Sequence, residues 1–319
     1  MKPKISIIIP TYNRIEVLKK CLESILDSSF KLSYEVIIID DGSTDNTVSE
    51  VANFIKTRKL KNYFIYKQKN SGPAKARNVG IRKAKSELLL IIGDDSIADN
   101  KLLSEHYKWH NTKYKKENIA VLGYNEWSRE IEVTPFMEWL DRVGMQFSYF
   151  RFNSVNAPSS SEFWTCNISV KKCFLMKNGL FDESFPYAAW EDIELGWRLS
   201  KYGLKIKYNK DAIVAHYHPT SFKSVKNRMI KHGYSQMILA EKMGSDYYNR
   251  LFNQPFKFIL NIFDLFFTYS GLLFVFDKMS VYFERKIAVP FIFYAVLFHY
   301  KLQGNKMYIK DHSFDNKTS

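Results

Sequence analysis

The chain has 319 residues, 46% hydrophobic and 25% charged, enough to bury a substantial core and too apolar for wholesale disorder. Its formal net charge of +14 implies an anionic partner: nucleic acid, acidic membrane lipid or a phosphorylated substrate. Three cysteines, Cys21, Cys166 and Cys173, form no Cys-x-x-Cys pair and no zinc spacing, and the odd count argues against a disulfide framework, so a reducing, cytosolic setting is expected.

The first apolar run, Ile5 to Ile9, ends at Pro10 and is too short for a signal-peptide core; it reads as a strand. Further strands are expected at 36–39, 63–66 and 88–92, with helical spacing between them over 14–27, 44–58 and 73–85. Strand–helix alternation with unbroken apolar strands predicts a parallel sheet covered on both faces. Ligands bind such sheets beyond the carboxyl ends of the strands. The segments found there are "PTYNR", "DDGSTDNT", "KQKNSGPAKARN" and "GDDS", all polar and two of them acidic.

Each segment admits two readings. Ser43 or Thr44 could cap the following helix and Asp45 complement its dipole, but Asp40 and Asp41 at a strand end also suit a ribose hydroxyl or a base N–H. Lys75 and Arg77 are either surface charges or cations beside a diphosphate. The chain has no G-x-x-x-x-G-K-[ST] loop, so phosphates would be neutralised by a metal and scattered basic residues. Asp94 and Asp95 form either an ordinary turn or a site for a hard cation.

The region 119–220 is less regular, with strand-like "IAVLGY" and "FWTCNISV", a polar loop at "NAPSSSE", and a helix expected from Trp190 to Gly203. Glu191 and Asp192 in its first turn are favoured by the helix dipole, or supply a general base separate from any metal ligand. His216 and His218, two residues apart after a short strand, are structural or ligating.

Beyond residue 220 a basic helix (222–244) precedes segments dense in Phe, Leu, Ile and Tyr. Residues 255–276 are of membrane-span length but interrupted by Lys257, Asn261 and Asp264, and 287–300 is short for a span. Helices lying in a membrane interface are expected, with Lys223, Lys226, Arg228 and Lys231 facing anionic lipid; the alternatives are a buried helical core or a dimer interface.

Taken together and in order, "SIIIPTYNR", "VIIIDDGSTDNT", "ARNVGI", "GDDS" and "WEDIELGWRL" resemble the inverting family 2 glycosyltransferases with a GT-A fold, over roughly residues 3–220. The resemblance implies an α/β, Rossmann-like and mostly parallel sheet flanked by helices, here followed by a helical, aromatic-rich C-terminal extension. It implies a nucleotide-diphosphate sugar, expected to be a UDP-sugar, and Mn²⁺ or Mg²⁺. By the same resemblance Pro10, Thr11 and Tyr12 line the base and ribose, with Arg14 in the same loop. Asp41 reads the base, Lys75 and Arg77 lie near the diphosphate, Asp94 holds ribose or the metal shell, and Asp95 ligates the metal. His216 completes that shell, with His218 as the close alternative. Asp192 is the base, with Glu191 beside it. Gly93 stands where the family's D-x-D motif has its first carboxylate.

The expected organisation is a catalytic domain over 1–220, an extension over 221–305 and a polar tail over 306–319. The expected activity is sugar transfer to a glycan or lipid-linked acceptor in cell-surface polysaccharide synthesis, at the inner face of the cytoplasmic membrane. Peripheral membrane contact and a homo-oligomer are expected partners, and nucleic acid is not, since no nucleic-acid motif occurs. Two alternatives from other classes are a metal-dependent nucleotidyltransferase and a non-catalytic nucleotide-sugar binder.

Overall fold

In the first hundred residues, neighbouring side chains along each strand bury on opposite faces, which is why the strands read as unbroken apolar runs. Ile7, Ile9, Val36, Ile38, Leu90 and Ile92 pack on one side, with Leu18, Leu22 and Leu102. Ile8, Ile37, Ile39, Leu89 and Ile91 pack on the other, with Ile81, Leu195 and Leu199. The computed structural model describes residues 2–152, 154–157, 159–244, 262, 264–268 and 271–315. Within the apolar stretch 255–276, residues 255–261, 263 and 269–270 lie outside the described residues.

The chain divides into two compact units. The first comprises 1–131, 149–186 and 191–218. It holds strands β1 (Ile5–Thr11), β2 (Tyr34–Asp40), β3 (Tyr63–Lys67), β4 (Leu88–Ile92), β5 (Ser96–Ala98), β6 (Ile119–Trp127), β7 (Asn167–Lys171) and β8 (Lys205–His216). They form one sheet in the order β3-β2-β1-β4-β7-β6-β8-β5. β1 to β4 are mutually parallel, β7 runs antiparallel to β4 and β6, and β8 is parallel to β6. The carboxyl ends of β1, β2, β4, β6 and β8 therefore lie along one edge. β5 runs antiparallel to β8, with Ser96 opposite His216.

The helices of this unit are α1 (Ile15–Leu26), α2 (Thr47–Thr57), α3 (Pro73–Lys83), α4 (Leu102–Lys108), α6 (Lys172–Asn178) and α7 (Glu191–Ser200). Two expectations are corrected. "FWTCNISV" is a strand only from Asn167. The turn before α2 is held by Asp45, whose Oδ1 accepts from the Thr47 amide at 3.0 Å, and not by a cap from Ser43 or Thr44.

The second unit comprises 132–148, 187–190 and 219–319. Its described helices are α5 (Pro135–Arg142), α8 (Phe222–Met243), α9 (Leu273–Phe283) and α10 (Pro290–Asp315). Phe136, Trp139, Phe222, Met229, Phe293 and Val296 form its core. Composition gave no sign that 132–148 belongs here, nor that α10 continues into the segment read as a tail. No helix among the described residues is long and apolar enough to cross a membrane.

Candidate active site

At the carboxyl edge of the sheet, β4 ends and Gly93, Asp94 and Asp95 turn the chain into β5. Asp94 is only 5% exposed, and its two oxygens are claimed by different donors. Thr11 Oγ1, at the end of β1, donates to Oδ2 at 2.8 Å, and Arg14 donates to Oδ1 at 2.7 Å. The same guanidinium reaches Asp95 Oδ2 at 2.9 Å and His218 Nδ1 at 2.7 Å. His216 Nδ1 lies 3.3 Å from Asp95 Oδ1. One cationic side chain thus sits between the paired carboxylates, and the pairing of β5 with β8 brings His216 to them.

Burial raises the Asp94 carboxyl to about 7, Arg14 opposing the rise and Asp95 adding to it. Burial alone would raise Asp95 too, but His216, Arg14 and His218 hold it well below the ordinary carboxylate range. The pair therefore splits into one strong anion and one carboxyl near its titration point. Gly93 has a steric reason: a Cβ there would lie 2.7 Å from Asp95 Oδ1. The missing first carboxylate of the D-x-D pattern leaves the space that Asp95 uses.

The acidic pair of α7 separates into two environments. Glu191 is 2% exposed and accepts from Arg77 Nη1 at 2.6 Å. Its Oε2 and Arg77 Nε meet no partner. Asp192 is half-buried; among the described residues its Oδ2 accepts from the Thr165 amide, at a long 3.4 Å, while Oδ1 accepts from the Ile193 amide. Burial, then the neighbouring Glu191, pushes the Asp192 carboxyl up to about 7, with Arg77 opposing. A carboxylate of raised proton affinity with a lightly held oxygen suits a base; a buried, ion-paired one does not.

The chain matches the profile described as Glycosyl transferase family 2 over residues 6–177, more than half its length. It belongs to glycosyl transferase family 2. Among similar proteins, the uncharacterized glycosyltransferase YfnE of Bacillus subtilis is 28% identical over 70% of this chain and 67% of its own. A dolichyl N-acetyl-alpha-D-glucosaminyl phosphate 3-beta-D-2,3-diacetamido-2,3-dideoxy-beta-D-glucuronosyltransferase of Methanococcus voltae is 25% identical over 87% of this chain and 85% of its own. The chain spans only about half the length of other relatives, such as a validoxylamine A glucosyltransferase of Streptomyces hygroscopicus, at 54%. In fold it resembles the mannosyltransferase PcManGT from Pyrobaculum calidifontis, solved with GDP-Man and Mn²⁺, with a TM-score of 0.64, 16% identity and coverage of 98% and 88%. It also resembles S. aureus TarS 1–349 in complex with UDP, with a TM-score of 0.55, 20% identity and coverage of 97% and 92%. The fold is GT-A and the protein is a glycosyltransferase; the nucleotidyltransferase and non-catalytic alternatives give way.

In this family 2 glycosyltransferase, several expected site residues already have partners within the fold. Asp41 accepts from Gln68 Nε2, the Ser71 amide and the Gly72 amide, at 2.7, 2.9 and 2.8 Å. Its carboxylate is spent fastening the turn that opens α3, where Gly72 has φ +89°. Arg77 pairs with Glu191 at 2.6 Å, inside the first unit. Glu191 holds the Arg77 guanidinium in place. Lys75 is exposed on the first turn of α3, Tyr12 is 45% exposed, Pro10 is half-buried and Thr11 is buried against Asp94.

Two residues escaped the sequence reading. Cys166 feels both Asp192 and Asp95, and burial with those two charges pushes its thiol up to about 12, keeping it neutral. Asn125, on β6, is 1% exposed, and its side-chain amide meets the Cys166 thiol. A lone cysteine and an asparagine inside a strand carry no periodic or motif signal, so only the fold reveals them. Among the described residues, no three His, Cys, Asp or Glu side chains are grouped to hold a metal; Arg14 fills the space between the acids.

Proposed function

We propose that the protein transfers a sugar, with inversion, from a UDP-sugar to a hydroxyl of a glycan or lipid-linked acceptor in cell-surface polysaccharide synthesis. The carrying observation is the division of labour among the acids: Asp94 and Asp95 are gathered around a cation, while Asp192 stands apart with a lightly held oxygen. The relatives' names favour glycoconjugate or polysaccharide synthesis, since they include the archaeal glucuronosyltransferase and, at 25% identity over 38% of its own length, a chondroitin synthase. TarS complexes with UDP and UDP-GlcNAc favour a uridine donor.

The acidic pair fits a divalent metal, because it already seats one positive group, and hard cations take carboxylate and phosphate oxygens. Asp95 and His216 would hold Mn²⁺ or Mg²⁺, with Asp94 beside them once Arg14 withdraws. When bound, the cation supplies charge neutralisation on the departing diphosphate. Thr11 and Asp94 fix the floor of the site, and Tyr12 presents an exposed ring for the base. Asp192 accepts the proton of the acceptor hydroxyl as its oxygen attacks the anomeric carbon opposite the diphosphate. The bond between the anomeric carbon and the diphosphate breaks, and the departing diphosphate oxygen keeps its electron pair. The residues 1–220 then act as the catalytic domain, and the C-terminal region keeps the enzyme at the inner face of the cytoplasmic membrane.

Asp192→Asn should reduce transfer by roughly 10²–10⁴-fold while UDP binding, followed calorimetrically, is unchanged. In the native enzyme kcat/KM should rise with pH through about 7, as Asp192 loses its proton. Glu191→Gln removes the charge that raises Asp192 and should move this limb to lower pH. Transfer that survives Asp192→Asn would remove Asp192 as the base; an unmoved limb would remove Glu191 as its positioning partner.

A further inference from the structure

The second unit carries a face on which large apolar side chains and cations stand together, with the exposed acid Glu132 at its rim. From Gly271 to Phe291 the exposed apolar residues include Phe274 at 64%, Tyr282 at 59%, Ile287 at 58% and Phe291 at 60%. Between them Lys278 lies 4.3 Å from the Phe274 ring centre and Lys286 lies 3.7 Å from that of Tyr282. The two acids of this stretch are turned inward: Asp277 pairs with Lys226, and Glu284 accepts from the Phe222 amide at 2.5 Å. Phe274, Lys278, Val281 and Arg285 follow one another at helical spacing along α9 and its extension, with Arg285 3.4 Å from Glu132 at the rim.

The same face continues into a groove of about 610 Å³ walled by Trp139, Ile287 and Pro290 and flanked by Arg142 and Lys286. Of the four cations expected from sequence to face lipid, Lys226 and Arg228 are spent inside the unit, the latter on Gln146 Oε1 at 2.6 Å. The basic lipid-facing surface thus moves from α8 to α9 and the turn after it.

We infer that α9 and residues 284–291 lie flat in the headgroup region of an anionic bilayer. Phe274, Val281, Tyr282, Ile287 and Phe291 enter the apolar boundary, and Lys278 and Lys286 meet lipid phosphate. The inference deepens the peripheral membrane contact proposed above by naming the face and the lipid charge. α9 has 11 residues, about 16 Å at the α-helical rise, far too short to span a bilayer and well suited to lie along one. Aromatic rings with cations beside them match the layered chemistry of an interface, apolar below and anionic above. A second copy is the poorer occupant, because a two-fold contact through this face would set Lys278 and Lys286 against cations of the same face.

The test is co-sedimentation of the full chain with extruded vesicles of phosphatidylcholine alone or mixed with phosphatidylglycerol. Binding is expected on the mixed vesicles, weak on phosphatidylcholine, and reduced by added salt. The double variant Lys278→Glu/Lys286→Glu, at two exposed positions, should bind the mixed vesicles at least about thirty-fold more weakly. Phe274→Ser/Phe291→Ser should weaken binding to the same vesicles without altering salt dependence. The thermal midpoint and UDP binding of each variant, expected to match the parent, separate this result from failure of the donor reading. Should the serine pair not fold, the charge-reversed pair decides. The inference is overturned if the parent chain ignores phosphatidylglycerol, if the charge-reversed pair binds as the parent does, or if light scattering shows a dimer that either pair dissociates without vesicle binding.

Discussion

Arg14 occupies the place where positive charge is wanted. Its guanidinium bridges Asp94 and Asp95 at 2.7 and 2.9 Å and touches His218, so a divalent cation entering this site competes with a side chain already there. Two charges a few ångströms from a third interact by several kcal/mol even at an effective dielectric of about 20. Arg14→Ala should therefore strengthen Mn²⁺ binding in the absence of donor at least ten-fold, and Arg14→Lys should restore most of the competition. Calorimetric titration of Mn²⁺ into the donor-free protein at pH 8 checks this, with both aspartates ionised. Equal affinity in parent and Arg14→Ala would show that the guanidinium does not guard the pair. Trp190 has φ +72°, a left-handed conformation that a bulky side chain rarely adopts, immediately before Glu191 in the chain. Its indole N–H is anchored to the His232 carbonyl oxygen at 2.9 Å, which holds that backbone in place.

Among the elements, the pair of helices α8 and α10 shows how sequence detail fixes packing. Gly233 in α8 and Gly304 in α10 lie where a Cβ would run into the opposite helix's backbone, at the carbonyl oxygens of Lys301 and Ile230 respectively. Both glycines cost helix propensity, and they are retained because the axes approach so closely. Gly304→Ala should force the helices apart and destabilise the second unit by about 1–3 kcal/mol or more, read as a fall in the urea midpoint. Met307→Ala, at an exposed position of the same helix, should change it little. If both variants unfold with the parent, the close crossing is not a structural requirement. β5 makes the same point in the sheet: three residues long, it pairs with β8 and thereby sets His216 beside Asp95.

For the whole molecule, buried titratable groups set how stability depends on pH. His106 and His110 share Ser169 Oγ at 2.7 and 2.9 Å, and His106 Nε2 also meets Asn167 Oδ1. Burial lowers them to about 4 and about 3. Between the folded values and the unfolded value of 6.5 the unfolded chain binds the extra protons, so their contribution is present above 6.5 and lost as pH falls. Asp94 and Asp192, raised to about 7, act with the opposite sign: their contribution is present below 3.8 and lost as pH rises through 7. The parent curve is therefore flattened, and the difference between variants is the informative quantity. His106→Gln should lower the slope of unfolding free energy with pH, relative to the parent, by about 1.4 kcal/mol per unit between pH 4 and 6.5. Urea titrations across that range measure it, and parallel curves would mean that His106 takes up its proton in the folded state.

The sheet's first four strands, the three helices between them and the acids at the strand ends could be read from the chain alone. Apolar period and turn composition are local properties, and a parallel sheet places every strand end on one edge. Local pattern also marked the pairs Asp94/Asp95, Glu191/Asp192 and His216/His218 as site candidates, and the family resemblance added Thr11. It did not show what each carboxylate was already holding. Asp41 grips the turn before α3 and Glu191 grips Arg77, because burial obliges a charged group to find partners wherever the fold brings them. Nor did it show that Gly93 makes room for Asp95, or that 132–148 joins the helical unit. The choice of His216 as the neighbour of Asp95 rested on the register of β5 against β8, and the inward turn of Lys226 and Arg228 rested on the packing of α8. Those are contacts between residues far apart in sequence, which composition and period do not encode and only tertiary structure decides.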